Sequence, residues 1–396
     1  MNSSDLIDSK ILIVDDNVKN LQVLGGFLQN EGFIVEFALD GQSAINWVGR
    51  QPFDLVLLDV MMPGIDGYEV CKILKQDQRN SELPVIFLTA KTDHESIIEG
   101  FTSGAVDYIT KPFIKDELIA RVKTHLEIKL SRDKLALYLA QIEEKNRDIT
   151  SSIQYAKNIQ DAMLRTSEPF RASFPEHFIL FLPKDIVSGD FYWFKTVDNV
   201  NIVAVMDCTG HGVPGALMSS IGVTLLNETV SHHRILEPHL ILENLRSKLI
   251  IALGQTNNSP WIKDGIEGSL FCFDTAMTKF NVSGSGNSMI HIHEGELEEI
   301  KVQKIPIGLS DKNSNYVNIP LKVSKNDMFY MFSDGYLDQF GGPGSKRFMI
   351  RKFKEILLKN HLLPLEVQKQ KLMDELTLWK DQTGQTDDIL VIGIKL

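Results

Sequence analysis

The sequence has few cysteines for its 396 residues. Cys71, Cys208 and Cys272 lie far apart and form no CxxC pair, which argues against a disulfide framework and against a zinc ribbon. Long hydrophobic runs are also missing. Phe178–Leu182 is typical of the longest, at about five residues, whereas a membrane-spanning helix needs roughly 20. The N-terminus, MNSSDLIDSK, has no basic start followed by an apolar stretch, so no secretory signal is expected and a cytoplasmic location is. There is no basic excess: 41 Lys and Arg stand against 52 Asp and Glu, a net charge of −11. A chain whose main work is holding nucleic acid carries a basic surface, so that class is disfavoured. We find no internal repeat and no low-complexity tract. What remains is ordinary globular composition, 43% hydrophobic and 23% charged. At roughly 150 residues per domain the chain should hold two or three domains.

Three segments differ in pattern. In residues 1–125, short apolar runs (Lys10–Val14, Leu55–Leu58, Pro84–Leu88) alternate with amphipathic stretches. Continuous apolar strands between helices imply a parallel sheet covered on both faces. This segment holds 11 basic and 19 acidic residues, most of the acidic excess. Residues 126–168 contain no proline or glycine, and seven basic residues are interspersed with seven acidic ones. Apolar residues recur every seven positions at Ile128, Leu135, Ile142, Ile149, Ala156 and Met163. A second row, offset by four, holds Leu139 and Ile153 but also Arg132, Asn146 and Gln160. This predicts a long helix with an imperfect coiled-coil seam, hence a homodimer, with Asn146 at a position where a buried polar residue can fix register. Residues 169–396 mix short strands with helices, an α+β pattern. Strands are expected at Phe178–Leu182, Ile202–Met206, Leu270–Phe273, Met289–His293, Met328–Phe332 and Ile389–Ile394. Helices are expected near 215–228, 240–253, 349–358 and 365–379.

In the first segment, Asp15-Asp16, Asp59, Thr89 and Lys111-Pro112 each follow a predicted strand. They therefore lie at carboxyl ends, where an open parallel sheet forms its ligand crevice. Three carboxylates converging there call for a cation, and an all-oxygen donor set suits Mg²⁺. Together with the stretch LLDVMMPGIDG at Leu57–Gly67, these residues resemble a response-regulator receiver domain of the CheY-like, flavodoxin type. The resemblance implies that Asp59 accepts a phosphoryl group from a histidine kinase or phosphotransfer protein. It implies that Asp16, Asp59 and the Met61 carbonyl bind Mg²⁺, with Asp15 acting through water. It also implies that Thr89 and Lys111 read the phosphoryl group, that Tyr108 is the aromatic switch residue, and that the Lys111–Pro112 bond is cis.

In the last segment, acidic residues fall in glycine-flanked turns: Ser188-Gly189-Asp190-Phe191, Asp207–Gly212, Ser333-Asp334-Gly335 and Gln385–Ile389. Carboxylates gathered without a His cluster suit two hard divalent ions, Mn²⁺ or Mg²⁺. Such a pair can activate water for in-line attack on phosphorus. A single Asp-Gly pair is usually a turn, but four in this order, each beside a strand, are far more specific. With DCTGHGVPGALM at Asp207–Met218 and SDGYLDQFGG at Ser333–Gly342, residues 175–396 resemble the SpoIIE-type Ser/Thr phosphatases, relatives of protein phosphatase 2C. The resemblance implies a β-sandwich flanked by helices. It makes Asp190, Asp207, Asp334 and Asp387 carboxylate ligands and Cys208 a ligand through its carbonyl, with no duty for the thiol. Asp387 and Asp388 remain interchangeable at this level. Ser188 replaces a common glycine, and Glu267 stands where relatives often carry Asp. No arginine stands out as the phosphate-binding residue of eukaryotic relatives. His232-His233 read as solvated surface, Cys71 as a packing residue on an amphipathic helix, and the likeness of SGDF to a cyclase signature lacks companion elements.

The expected architecture is thus a receiver at 1–125, a helical linker at 126–168 and a phosphatase at 169–396. The stretch Ser152–Leu164 before the phosphatase is also typical of the family. The family's substrate implies a phosphoserine or phosphothreonine on an anti-sigma-factor antagonist in a partner-switching pathway. Two rival readings are a catalytically silent scaffold gated by receiver phosphorylation and a DNA-binding response regulator. The second would need a basic recognition helix, which the C-terminal segment does not offer.

Overall fold

A computed structural model describes residues 6–90, 94–164, 167–256, 264–310 and 314–396. Residues 1–5, part of the stretch read as carrying no signal, lie outside the described residues. The chain forms two compact units, residues 1–146 and 147–396.

The first unit alternates strands and helices: β1 (Lys10–Val14), α1 (Val18–Gln29), β2 (Ile34–Ala38), α2 (Gly41–Arg50), β3 (Leu55–Asp59), α3 (Gly67–Gln76), β4 (Val85–Thr89), α4 (His94–Thr102) and β5 (Asp107–Thr110). The helix α5 (Lys115–Met163) then begins and runs 49 residues across the unit boundary. The strands form one parallel sheet in the order β2-β1-β3-β4-β5. Its central strands are apolar throughout because both faces are covered. Leu12, Val14, Val56 and Leu58 face Val48, Val70, Cys71 and Leu74 of α2 and α3. Ile11, Ile13, Leu55 and Leu57 face Leu21, Leu24 and Leu28 of α1 and Leu118, Val122 and Leu126 of α5. Cys71 is fully buried, as its helical position predicts.

Beyond Leu126 the linker helix keeps its expected periodicity but leaves it uncovered: Leu135, Leu139, Ile142 and Ile149 are all more than half exposed. Gln160 behaves otherwise. It sits in the row read as a flawed seam, yet it is buried, and its amide is committed to Ser188 and Ser219 of the second unit.

The second unit continues with α6 (Ser167–Ser173), β6 (His177–Leu182), β7 (Phe191–Val197), β8 (Val200–Cys208), α7 (Gly212–Asn227), α8 (Pro238–Ala252), β9 (Ile266–Asp274), β10 (Phe280–Ser285), β11 (Met289–His293), β12 (Glu296–Ile300), β13 (Ile319–Pro320), β14 (Met328–Phe332), α9 (Gly335–Asp338), β15 (Phe340–Gly341), β16 (Lys346–Arg347), α10 (Ile350–Asn360), α11 (Leu365–Lys380) and β17 (Ile389–Lys395). Two antiparallel sheets, β13-β10-β9-β8-β7 and β12-β11-β14-β17-β6, stack face to face. Side-chain alternation assigns each face. Val203, Val205, Phe271 and Phe273 meet Phe329, Met331, Leu390 and Ile392 between the sheets. Ile202, Ala204 and Met206 point outward to α7 and α8, and Tyr330, Phe332 and Val391 point outward to α10 and α11. The result is four layers, helix, sheet, sheet and helix, which is the helix-flanked β-sandwich expected. Strands β7, β10 and β12 escaped the sequence reading; β12, Glu-Leu-Glu-Glu-Ile, is a polar edge strand, and β10 carries Asn, Ser and Gly.

Candidate functional site

In the first unit, parallel register brings four strand ends to one edge: Val14 lies opposite Leu58, Asp59 opposite Leu88, and Thr89 opposite Thr110. Asp15, Asp16 and Asp59 offer carboxylate oxygens within 4.8 Å of one another. Lys111 Nζ donates to Asp15 Oδ2 at 2.9 Å and to Asp59 Oδ2 at 2.7 Å. Burial raises the Asp59 carboxyl above its ordinary value, and Asp15 adds to this, against the pull of Lys111. Burial also works against the Lys111 ammonium, but its bonds to Asp59 and Asp15 outweigh that and raise it. The Lys111 ammonium is thus shared between two carboxylates, while Asp59 is held up first by burial. The backbone N–H of Met61 reaches Asp59 Oδ1 at 3.3 Å. Thr89 is buried, and its carbonyl accepts the Lys111 N–H at 2.8 Å. Tyr108 is half-buried, edge-on to Phe101, with the Arg121 guanidinium 5.9 Å from its ring centroid. The Lys111–Pro112 bond is cis. Asn20 was not anticipated: from α1 it donates to both oxygens of Asp15, at 3.0 and 2.9 Å, and so orients that carboxylate.

In the second unit, the acidic turns come from both sheets. Asp190 precedes β7, and the pairing of Phe191 with Met206 sets it beside Asp207, which lies within β8 rather than in a turn. Asp334 follows β14 at the start of α9, and Asp387-Asp388 precede β17, which pairs with β14. Asp190 is 3% exposed, and its Oδ2 is buried with no hydrogen-bond partner. Burial, then the charge of Asp207, holds the Asp190 carboxyl well above the carboxylate range. Burial, then Asp334, does the same to Asp207. Burial raises Asp334 too, against a hydrogen bond with Asp207 that lowers it. The charge of Asp387 adds to all three. The four carboxylates therefore share one acidic basin. It is broader than the first site, since no three of them have ligand atoms within 4.8 Å of one another.

Asp388 has a different duty from Asp387. Its Oδ1 accepts the N–H of Lys184 and its Oδ2 the N–H of Gly189, both at 2.7 Å. It thus clamps the loop that carries Asp190. Asp387 caps the N–H of Asp388 at 2.8 Å. Gly189 is required by close approach: a side-chain carbon there would stand 2.5 Å from the Gly210 carbonyl oxygen. Gly210 itself adopts φ +87° within the DCTGHG turn. Thr209 exchanges hydrogen bonds with Gly265, which ties that turn to the segment before β9. Glu267 stands directly opposite Asp207 in the β8–β9 register. Although Glu267 is exposed overall, partial desolvation and then Asp334 raise its carboxyl. The Cys208 thiol is buried, and burial holds it well above its ordinary value, so it is no nucleophile at neutral pH. His232 and His233 are exposed.

Sequence reading also missed three supports. Gln160 Nε2 donates to the Ser188 carbonyl at 2.6 Å and to Ser219 Oγ at 2.9 Å, while Gln160 Oε1 accepts the Ser188 N–H at 3.1 Å. Ser333 Oγ accepts the Leu390 N–H at 3.0 Å and bonds Asp190. His211 lies between Asp185 Oδ2 at 2.7 Å and Lys184 Nζ at 3.0 Å, beside the basin. Only long-range folding reveals these pairs; the polar residue in an apolar heptad row was the one available signal.

Comparison with known proteins agrees with this geometry. Residues 11–123 match the response regulator receiver domain family, and residues 198–396 match the stage II sporulation protein E (SpoIIE) family. The SiaA-PP2C domain of Pseudomonas aeruginosa is 28% identical and superposes with a TM-score of 0.58, covering 64% of this chain and 98% of that one. The DNA-binding response regulator MtrA of Mycobacterium bovis is 40% identical over 139 residues, 35% of this chain and 60% of its own length. The regulatory protein VanRc of Enterococcus gallinarum is 44% identical over 120 residues, 30% of this chain and 51% of its own length. This chain thus spans little more than half the length of these curated relatives, and the shared part is the receiver. Among the described residues no helix is long and apolar enough to cross a membrane. The chain belongs to the SpoIIE family, with a response regulator receiver domain preceding a phosphatase domain of the PP2C type.

Proposed function

We propose that this protein is a two-component response regulator in which phosphorylation of Asp59 controls a metal-dependent phosphoserine/phosphothreonine protein phosphatase. The single observation that carries this reading is the acidic basin of Asp190, Asp207, Asp334 and Asp387. The carboxyls of Asp190, Asp207 and Asp334 are pushed up by burial and mutual repulsion, and Asp190 Oδ2 has no hydrogen-bond partner. A basin of that kind calls for cations, and its all-oxygen donors fit Mn²⁺ or Mg²⁺. Its breadth accommodates more than one ion. Asp190, Asp207, Asp334, Asp387 and the Cys208 carbonyl are the proposed ligands. When bound, paired divalent ions supply a water of lowered pKa for attack on phosphorus. The chain's own residues hold the geometry: Asp388 fixes the Lys184–Gly189 loop, Ser333 orients Asp190, and Glu267 borders Asp207.

In the receiver, Asp15, Asp16, Asp59 and the Met61 carbonyl are the proposed Mg²⁺ site. Lys111 and Thr89 hold the phosphoryl oxygens, and Tyr108 responds to them. A histidine kinase or phosphotransfer protein supplies the phosphoryl group. The functional division is a receiver at 1–125, a linker at 126–168 and a phosphatase at 169–396. The linker's exposed apolar row supports homodimerisation, and Gln160, at its far end, joins the same helix to the loop of Asp190. That is a physical path for control, in which a charge change biases a two-state element. The substrate is a phosphorylated anti-sigma-factor antagonist. The test is phosphate release from such a phosphoprotein in Mn²⁺, with Asp207→Ala as the blank. Release that needs both Mn²⁺ and Asp207 is expected. None, with metal bound, would favour the silent scaffold.

A further inference from the structure

β14 carries Asp334 just beyond one end and Asp327 just before the other. Around Asp327 is a cluster that the phosphatase reading does not use. His291 and His293 alternate along β11, so their side chains share one face. His291 Nε2 lies 2.9 Å from Asp327 Oδ2, and His293 Nδ1 lies 2.8 Å from Asp327 Oδ1. All three residues offer ligand atoms within 4.8 Å of one another. The set is held in place. The His291 ring stacks on Phe329 at 4.4 Å and 6°, and the Ser324 N–H donates to Asp327 Oδ2 at 2.9 Å. His291 and Asp327 are buried, whereas the His293 side chain is 43% exposed. In the β11–β12 register Glu298 stands opposite His291 and Glu296 opposite His293. Directly opposed residues share a face of the sheet, so two further carboxylates flank the cluster. All but Asp327 line a cleft of about 770 Å³ between β12 and β13, which Lys301 and Lys322 also border.

We infer that His291, His293 and Asp327 form a binding site for a transition-metal dication of the Zn²⁺ class, separate from the aspartate basin. Two imidazoles and a carboxylate are a zinc-type donor set, whereas Mg²⁺ prefers oxygen alone. One imidazole with the Ser324 N–H would suffice to satisfy Asp327. The second imidazole brings another nitrogen donor to the same point, and Glu296 or Glu298 stands where a fourth ligand can approach. The site joins β11 to the start of β14, one strand in from the β12 edge of its sheet. Each of these residues is ordinary alone; the His-x-His alternation on a strand is the only trace in the sequence.

The test titrates the full-length protein with Zn²⁺ in excess Mg²⁺, which occupies the oxygen-only sites, using a chromophoric chelator as competitor. Co²⁺ replaces Zn²⁺ in a parallel series read by its visible absorption. The wild type should bind one Zn²⁺ that excess Mg²⁺ does not displace, and Co²⁺ should give the intense bands of a four-coordinate site with nitrogen ligands. His293→Ala should weaken Zn²⁺ binding by more than about tenfold, the lower bound for loss of even an outer partner of a bound metal. His293→Gln, which keeps a polar partner for Asp327, should weaken it as much and serves if the alanine variant melts early. Equal Zn²⁺ affinity in wild type and both variants would overturn the proposal, as would complete displacement by Mg²⁺. Both readouts are independent of phosphatase turnover.

Discussion

Replacing Gln160 with Ala probes how the linker helix supports the phosphatase. The wild-type amide makes three hydrogen bonds, two of them to the backbone N–H and C=O of Ser188. Ser219 Oγ loses least, because it retains the Ala216 carbonyl at 2.9 Å. The Ser188 N–H becomes buried and unpaired, at about 1–3 kcal/mol, while the Ser188 carbonyl keeps Ser219 Oγ at 3.3 Å. Partial entry of water into the space left behind favours the lower half of that range, so the expected loss is about 1–2 kcal/mol. For a domain of this size 1 kcal/mol lowers Tm by roughly 2–4 °C, which gives a fall of roughly 2–8 °C in the phosphatase transition. Asp190 is two residues from Ser188, so the Mn²⁺ concentration for half-maximal activity should rise as well. Calorimetry of the full chain, with phosphate release measured across a Mn²⁺ series, reads both. A Tm within about 1 °C of wild type, with an unchanged Mn²⁺ requirement, would refute the argument, since unpaired buried backbone cannot be that cheap.

Two further outcomes follow from the same structure. Burial raises the carboxyls of Asp190, Asp207 and Asp334 in the folded state above their ordinary value of 3.8. The folded chain therefore binds more protons than the unfolded chain, and metal-free stability falls as pH rises above that value toward the raised ones. Cations relieve the same repulsion, so Mn²⁺ should raise Tm more at pH 7.5 than at pH 5, measured by calorimetry against a chelator-treated sample; an equal rise would contradict it. Asn146 is exposed in the linker between the exposed Ile142 and Ile149. Asn146→Leu should shift the monomer–dimer balance in sedimentation velocity or change regulation; if neither changes, the seam reading fails.

Much of this was legible because the chemistry sits at the ends of apolar runs. In the receiver, continuous hydrophobic strands located Asp15, Asp59, Thr89 and Lys111 at one edge, since parallel strands buried on both faces must read that way. The sandwich was legible through β14 and β17, apolar for the same reason, although the polar edge strand β12 was not. What escaped depends on pairs distant in sequence. Asn20 belongs to Asp15 only once α1 packs. The assignment of Asp388 to a backbone clamp, leaving Asp387 facing the basin, needs the Lys184–Gly189 loop in place. Gln160 looked like a flaw in a seam because heptad spacing says nothing of what a helix end docks against.

The most direct test of receiver control measures phosphate release from the phosphorylated antagonist by the full-length protein in Mn²⁺, with and without a beryllofluoride mimic of phospho-Asp59. Asp59→Asn is measured in parallel. The account predicts that the mimic changes the rate in the wild type and leaves Asp59→Asn unaffected. The same rate in every arm would contradict it.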